Sequence, residues 1–191
     1  DAAGDERPFI MRHSQGDQWD LLLLFPIRSY QDYYSGDRVT RREAAEKKMS
    51  GFWPRFKQDV ARHEEVFVYG AALEIVKKVF AEAGFFHVEM FVSLPGKHTE
   101  LQQQREMENT YLKALGRPQN LIFVHDQGAP WDIFTIGCYR DLKHFAESAD
   151  IPADKEEEAA RLAGFEAANR IGTYLRTLIQ LHHDTLAVAV N

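Results

Sequence analysis

The sequence predicts an α+β protein made of two tandem units of antiparallel strands and helices. Three observations lead there. The octet HSQGDQWD at residues 13–20 returns as HDQGAPWD at residues 125–132, keeping His, Gln, Gly, Trp and Asp in place. Each octet lies between two short apolar runs rich in β-formers, which reads as a hairpin with glycine turning the chain. Each hairpin is followed by a helix-periodic stretch and a further short apolar run, so the order of elements repeats as well.

The repeat extends through both units. Its shared positions are His13/His125, Gln15/Gln127, Gly16/Gly128, Trp19/Trp131, Asp20/Asp132 and Arg28/Arg140. Further on, KMSGF (48–52) answers RLAGF (161–165), and RHEEVFV (62–68) answers HHDTLAV (182–188). In the first unit, residues 41–63 read as a helix that Pro54 should kink or split, and VFVYG (66–70) reads as a strand. Residues 71–84 form a linking helix. FFHVEMFVSL (85–94) is a strand, and residues 98–116 form a helix stopped by Gly116 ahead of Pro118. After the second hairpin, a helix capped by Asp154, with Glu157 three residues on, runs to the pair His182–His183. TLAVAV (185–190) is the last strand. The boundaries are therefore 7–70 for the first unit, 71–84 for the link and 85–190 for the second unit. The second unit reads β-α-β-β-α-β. The first reads β-β-α-β and lacks its first strand and helix.

A β-α-β-β-α-β unit with a hairpin at its centre is the ferredoxin-like pattern. Two such units in tandem, with their antiparallel sheets packed as an α/β barrel, resemble the dimeric α/β-barrel superfamily, which includes antibiotic-biosynthesis-monooxygenase-like and haem-degrading proteins. The resemblance lies in element order and duplication over residues 7–190, not in a catalytic motif. It implies a cavity between helices and sheet that takes a small aromatic or tetrapyrrole ligand, and it implies a homo-oligomer.

Composition narrows the partners. The chain has 191 residues, 45% hydrophobic and 27% charged, with a net charge of −6. No basic cluster long enough for nucleic acid is present; RVTRR (38–42) reads as a solvated helix entrance. The longest apolar run, LLLLFPI (21–27), is far short of a membrane span. The lone Cys138 cannot form an internal disulfide and reads as a small core residue. The polar start DAAGDERP resembles a mature N-terminus left by signal-peptide removal, which points to a periplasmic or secreted protein; a cleaved expression tag would look similar, and the alternative is a cytoplasmic protein. Walker, Rossmann, Cys-x-x-Cys, zincin and nucleophile-elbow motifs are absent.

Candidate functional residues stand out against that background. In FHVEMF (86–91), His87 and Glu89 are two positions apart, so a strand places them on one face. Together with His125 they are the catalytic candidates, as base and orienting groups. Arg140, Trp131, Arg105 and Glu108 are the ligand-binding candidates; Arg105 and Glu108 are spaced to pair on a helix. His13, Trp19, Asp20, Arg28 and Asp132 read as structural residues of the repeat, with the Asp and Arg pins expected to join the two units. No metal site is expected, because spacing defines no third ligand beside His87 and Glu89, and His182–His183 on a helix would diverge. No cofactor is specified by the sequence.

The function these residues suggest is small-molecule binding. With the resemblance, that becomes a cofactor-independent oxygenase-like enzyme acting on an aromatic or polyketide-like compound. The alternatives are a non-enzymatic oligomeric scaffold or ligand-binding protein, and a haem-binding or haem-degrading protein with His87 or His125 as axial ligand.

Overall fold

The structure is a computed structural model of the chain, and it describes residues 4–190. Two strands form the first hairpin, β1 (Phe9–Gly16) and β2 (Leu21–Leu24). Three helices follow: α1 (Tyr30–Tyr33), α2 (Gly36–Lys48) and α3 (Phe52–Asp59). Then come β3 (Val66–Tyr69), α4 (Leu73–Glu82), β4 (Phe85–Ser93) and α5 (His98–Ala114). The second hairpin is β5 (Leu121–Gly128) and β6 (Ile133–Tyr139). The chain closes with α6 (Leu142–Ala146), α7 (Ala153–Leu162), α8 (Ile171–Arg176) and β7 (Ile179–Ala189).

Contacts divide the chain into two compact units, Asp1–Ile10 with Leu23–Glu65, and Met11–Leu22 with Val66–Asn191. In the smaller unit, Arg38 pairs with Asp5 at 2.6 Å and with Asp32 at 2.5 Å. The Arg42 guanidinium lies 4.0 Å above the Tyr33 ring. The helix expected over residues 41–63 is divided, as Pro54 requires. The break falls at Met49–Gly51, which places Pro54 in the first turn of α3, where its missing N–H costs nothing.

The strands form one antiparallel sheet in the order β2-β1-β7-β4-β6-β5-β3. Within it, β4, β5, β6 and β7 stand in the order fourth, first, third, second, so residues 85–189 make a complete ferredoxin-like unit. The α+β class and the ferredoxin-like organisation expected from the sequence are those of the structure. Strand β4 is central, paired along its length with β6 on one side and β7 on the other.

Paired residues in an antiparallel ladder point to the same face. One face carries Phe86 and Val88 of β4, Ile136 of β6 and Ala187 of β7, none of them solvent-exposed. Each large side chain buried here contributes roughly 1.5–3 kcal/mol. Phe86 stacks on Phe80 of α4 with ring centroids 4.9 Å apart. The other face carries Phe91 and Ile133, which bury against Leu101 of α5 and Leu178.

The repeated octets have the same local geometry. His13 N–H donates to the Asp20 carbonyl at 3.0 Å, and His125 N–H to the Asp132 carbonyl at 2.9 Å. Gly16 and Gly128 have φ of 110° and 112°. Strand β1 meets β7 with Gly16 opposite Thr185 and a bulge between His13 and Gln15. Strand β5 meets β3 with Gly128 opposite Val66 and a bulge between His125 and Gln127.

Three local expectations are corrected. Asp154 does not cap α7; Pro152 occupies the cap and Asp154 lies in the first turn. The long helix expected to end at His182–His183 stops at Leu162, where Gly164 turns at φ 90°. Residues His182, His183 and Asp184 lie in β7. Asp132 does not act as a pin between units. Its Oδ2 accepts from Ser93 N–H at 2.6 Å and from Ser93 Oγ at 2.8 Å, tying the second hairpin to the end of β4.

Candidate functional site

The site is built on the face of β4, β6 and β7 that α5 covers. Period-two alternation puts Phe85, His87, Glu89 and Phe91 on that face. The register places Thr135 of β6 and Asp184 of β7 opposite Glu89, Gly137 opposite His87, and His182 opposite Phe91. Helix α5 lies above and lowers Gln104 and Arg105 onto the same spot; both are almost fully buried.

Glu89 is the centre. Its Oε2 accepts from Thr135 Oγ at 2.9 Å and from Arg105 at 3.5 Å. Its Oε1 faces His182 Nε2 at 3.8 Å. Arg105 also donates to Glu108 at 2.5 Å and to the Gln104 side-chain oxygen at 2.7 Å. The Arg105 guanidinium lies 4.6 Å from the Phe91 ring centroid, and the His182 ring stacks on Phe91 at 5.1 Å. Asp184 bridges the two histidines, with Oδ1 3.0 Å from His87 Nε2 and Oδ2 3.1 Å from His182 Nε2. Buried at Arg105 and half-exposed at Asp184, the cluster runs from the core to solvent.

Burial and neighbours set the charges. Burial pushes Glu89 up, yet His182, Arg105, His87 and the Thr135 hydroxyl together hold it below the usual carboxylate range. Burial dominates at Glu108, reinforced by the charge of Glu89, and raises it despite Arg105. Burial opposes charging of His87, but the bond to Asp184 and the charges of Glu89, Asp184 and Glu108 outweigh it, so its pKa is raised. Asp184 first, then Glu89, lift His182 to about 9. The two histidines hold Asp184 well below its ordinary value.

The expected residues fall in three places. His87, Glu89, Arg105 and Glu108 meet in this cluster. His125 does not join them. Ile122 opposes Thr135 and so shares the Glu89 face, and His125, an odd number of positions on along β5, points to the opposite face. There its Nε2 is buried and without a hydrogen-bond partner, as is that of His13. Trp131 packs edge-on against His183 at 5.3 Å, and Trp19 against His13 at 5.9 Å. Arg28 adopts φ 68° and pairs with Glu6 at 2.6 Å. Arg140, exposed at the end of β6, lines a separate open cleft of about 830 Å³ with Ile75, Asn109, Leu121, Cys138 and Tyr139. Neither His87 nor Glu89 lines that cleft. Burial pushes the Cys138 thiol up to about 12, which leaves it unsuited to nucleophilic work.

Sequence reasoning set His182 and Asp184 aside as the end of a helix, and it missed Thr135 and Gln104. The signal for the first two was there: IQLHHDTLAVA continues the alternation of TLAVAV backwards, which puts His182 and Asp184 on one strand face. His87, Glu89 and Asp184 present ligand-type atoms within 4.8 Å of one another.

No family model matches the chain, and no curated protein matches it. A solved structure does. It is described as an anthrone oxidase-like protein, and it aligns with 100% of this chain and 81% of its own, at a TM-score of 0.52 and 10% identity. At that identity the likeness is one of fold. It agrees with the α+β architecture of antiparallel sheet and helices. Among the described residues, no helix is long and apolar enough to cross a membrane.

Proposed function

We propose that the chain is a small-molecule enzyme of the oxygenase type, acting on an aromatic or polyketide-like compound at the mouth of the β4–β7 cluster. The observation that carries this is the burial of charge. The side chains of Arg105 and Glu108 on α5 and of Glu89 on β4 meet between helix and sheet, where apolar side chains often give equal or greater stability. Charges held at that cost mark a site that uses them. In this reading Glu89 and His87 face the reacting part of the substrate. Arg105 and Asp184 are positioning residues that hold them, and molecular oxygen is the oxidant. The fold likeness to an anthrone oxidase-like protein supports the substrate class.

The test is aerobic incubation of the purified chain with anthrone, following oxygen uptake and quinone absorbance. Turnover that falls by about 10²-fold or more in Glu89→Gln and in His87→Ala supports the reading. No turnover above buffer, or turnover indifferent to both substitutions, removes it.

A second reading has its own observation. The 830 Å³ cleft beside α4 and β5 is the size of a small-molecule site yet excludes the charged cluster. A non-enzymatic ligand-binding protein would use that cleft. Ligand binding lost in Asn109→Trp and retained in Glu89→Gln would favour it.

A further inference from the structure

The β4–β7 cluster is also a set of metal-ligating side chains, a property that neither reading above invokes. His87 and Glu89 come from one strand, and His182 and Asp184 from its neighbour, all on one sheet face. Two imidazole nitrogens and two carboxylates make a mixed N/O set, which suits divalent zinc, iron, cobalt or manganese better than calcium or magnesium.

His87 Nε2 and Asp184 Oδ1 are paired at 3.0 Å, but the geometry of Glu89 and His182 favours an ion over a closed ion-pair network. Glu89 has its two oxygens in different roles. Oε2 is taken up by Thr135 and Arg105. Oε1 faces His182, 3.8 Å away and beyond hydrogen-bonding distance. A carboxylate fixed through one oxygen, with the other turned towards imidazoles, is how an outer shell orients a metal ligand. His182 Nε2 is buried and lies 3.1 Å from Asp184 Oδ2, yet it makes no well-formed hydrogen bond. That leaves a buried ring nitrogen flanked by two carboxylates. Atoms sharing one ion at about 2.1 Å lie roughly 3.0–4.2 Å apart. The atoms of His87, Glu89 and Asp184 already fall within 4.8 Å of one another. His182 Nε2 borders that group, 3.1 Å from Asp184 and 3.8 Å from Glu89, and side-chain rotation would draw the donors onto one centre while the β4–β7 ladder holds both backbones.

We infer that His87, Glu89, Asp184 and His182 form a binding site for one divalent transition-metal ion. Half-exposed Asp184 marks the side from which the ion enters and where water or a ligand completes its coordination. The third donor that sequence spacing left undefined is supplied across the ladder. The inference does not depend on the oxidation proposed above, since an ion loads whatever the substrate is. An ion there would, however, occupy the atoms of His87 and Glu89 that face substrate in a metal-free enzyme.

The experiment is equilibrium dialysis of the full, tag-free chain, stripped with chelator, against Co²⁺ and separately Zn²⁺, followed by metal analysis. Co²⁺ adds a visible ligand-field spectrum that reports nitrogen and oxygen donors. One ion per chain is expected, with Kd weakened about tenfold or more in both Asp184→Asn and His182→Ala. His183→Ala, whose side chain is on the opposite face, should bind as the parent does. Asp184 is exposed enough for its variant to fold, and far-ultraviolet circular dichroism checks this. Absence of bound Co²⁺ and Zn²⁺ near millimolar concentration, or binding unchanged in both variants, overturns the site. Either result leaves the anthrone assay to be judged by itself, because that assay can be run in the presence of chelator.

Discussion

Arg105→Met should destabilise the chain by about 3–5 kcal/mol, the cost of breaking a buried ion pair from one side. The Arg105 side chain is 1% exposed and is the cation for Glu89 at 3.5 Å and Glu108 at 2.5 Å, themselves 10% and 22% exposed. Methionine keeps most of the volume against Phe91, so the loss is chiefly electrostatic: two carboxylates remain under α5 with His182 as the nearest cation to Glu89. For a domain of this size, such a loss lowers Tm by about 6–20 °C. Urea denaturation followed by circular dichroism reads it directly. The pH dependence has a definite sign. Glu89 in the parent is held below its ordinary value, so its contribution is present above that value and lost as pH falls through the lower one. In Arg105→Met both carboxyls shift upward and take up protons as pH falls, so the gap to the parent narrows towards about pH 4. Adding Glu89→Gln and Glu108→Gln to Arg105→Met should restore more than half of the lost stability. An Arg105→Met variant within about 1 kcal/mol of the parent at neutral pH would refute the reasoning, as would a triple variant no better than the single.

Other outcomes follow from the same structure. Asp132→Ala removes the acceptor of two Ser93 bonds and should cost about 1.5–3 kcal/mol in chemical denaturation; Asp20→Ala, an exposed position, should stay within about 0.5 kcal/mol. In Gly16→Ala the added Cβ runs into the Asp184 carbonyl, with φ at +110°. The backbone conformation alone should cost about 1–3 kcal/mol, whereas Gly172→Ala in α8, with nothing within 4 Å, should be neutral or stabilising. Cys138, buried and raised to about 12, should resist an aromatic disulfide reagent in the native chain at mildly alkaline pH and react stoichiometrically in denaturant; fast native reaction would contradict its burial.

Local pattern was enough for most of the fold. Alternation in FFHVEMFVSL, the apolar stripe of residues 98–116 and the turn glycines are properties of contiguous residues, and each produced its element within a few positions. The β7 segment defeated that reasoning. Helix-forming AARLA precedes Gly164 and TYLRTLIQ follows it, and the apolar periodicity runs on across that glycine, whose positive φ no local pattern discloses. Arg105 and Glu108 were legible as an i, i+3 pair, but not their partner. That Glu89 is the partner depends on how α5 crosses the sheet. Asp132 was legible as a pin, while its target, Ser93, is a matter of strand register that no local pattern contains.

The position of the cluster follows from the strand order. In the order β7-β4-β6-β5, β4 lies inside the sheet, so a side chain on its α5-covered face acquires cross-strand neighbours from both sides and a helix above. Glu89 has all three: Thr135 from β6, Asp184 and His182 from β7, Arg105 from α5. No edge-strand position can collect that many converging groups. FHVEMF is also the strand without a counterpart in residues 7–70. The duplicated octets, by contrast, carry the same hydrogen bond, the same glycine conformation and the same bulge in both copies. Chemistry that needs one site can be carried by the unrepeated strand, and the repeated motif is free to serve the sheet. Substitutions at His13 and His125 should therefore register in stability, and substitutions at His87, Glu89, His182 and Asp184 in binding or turnover.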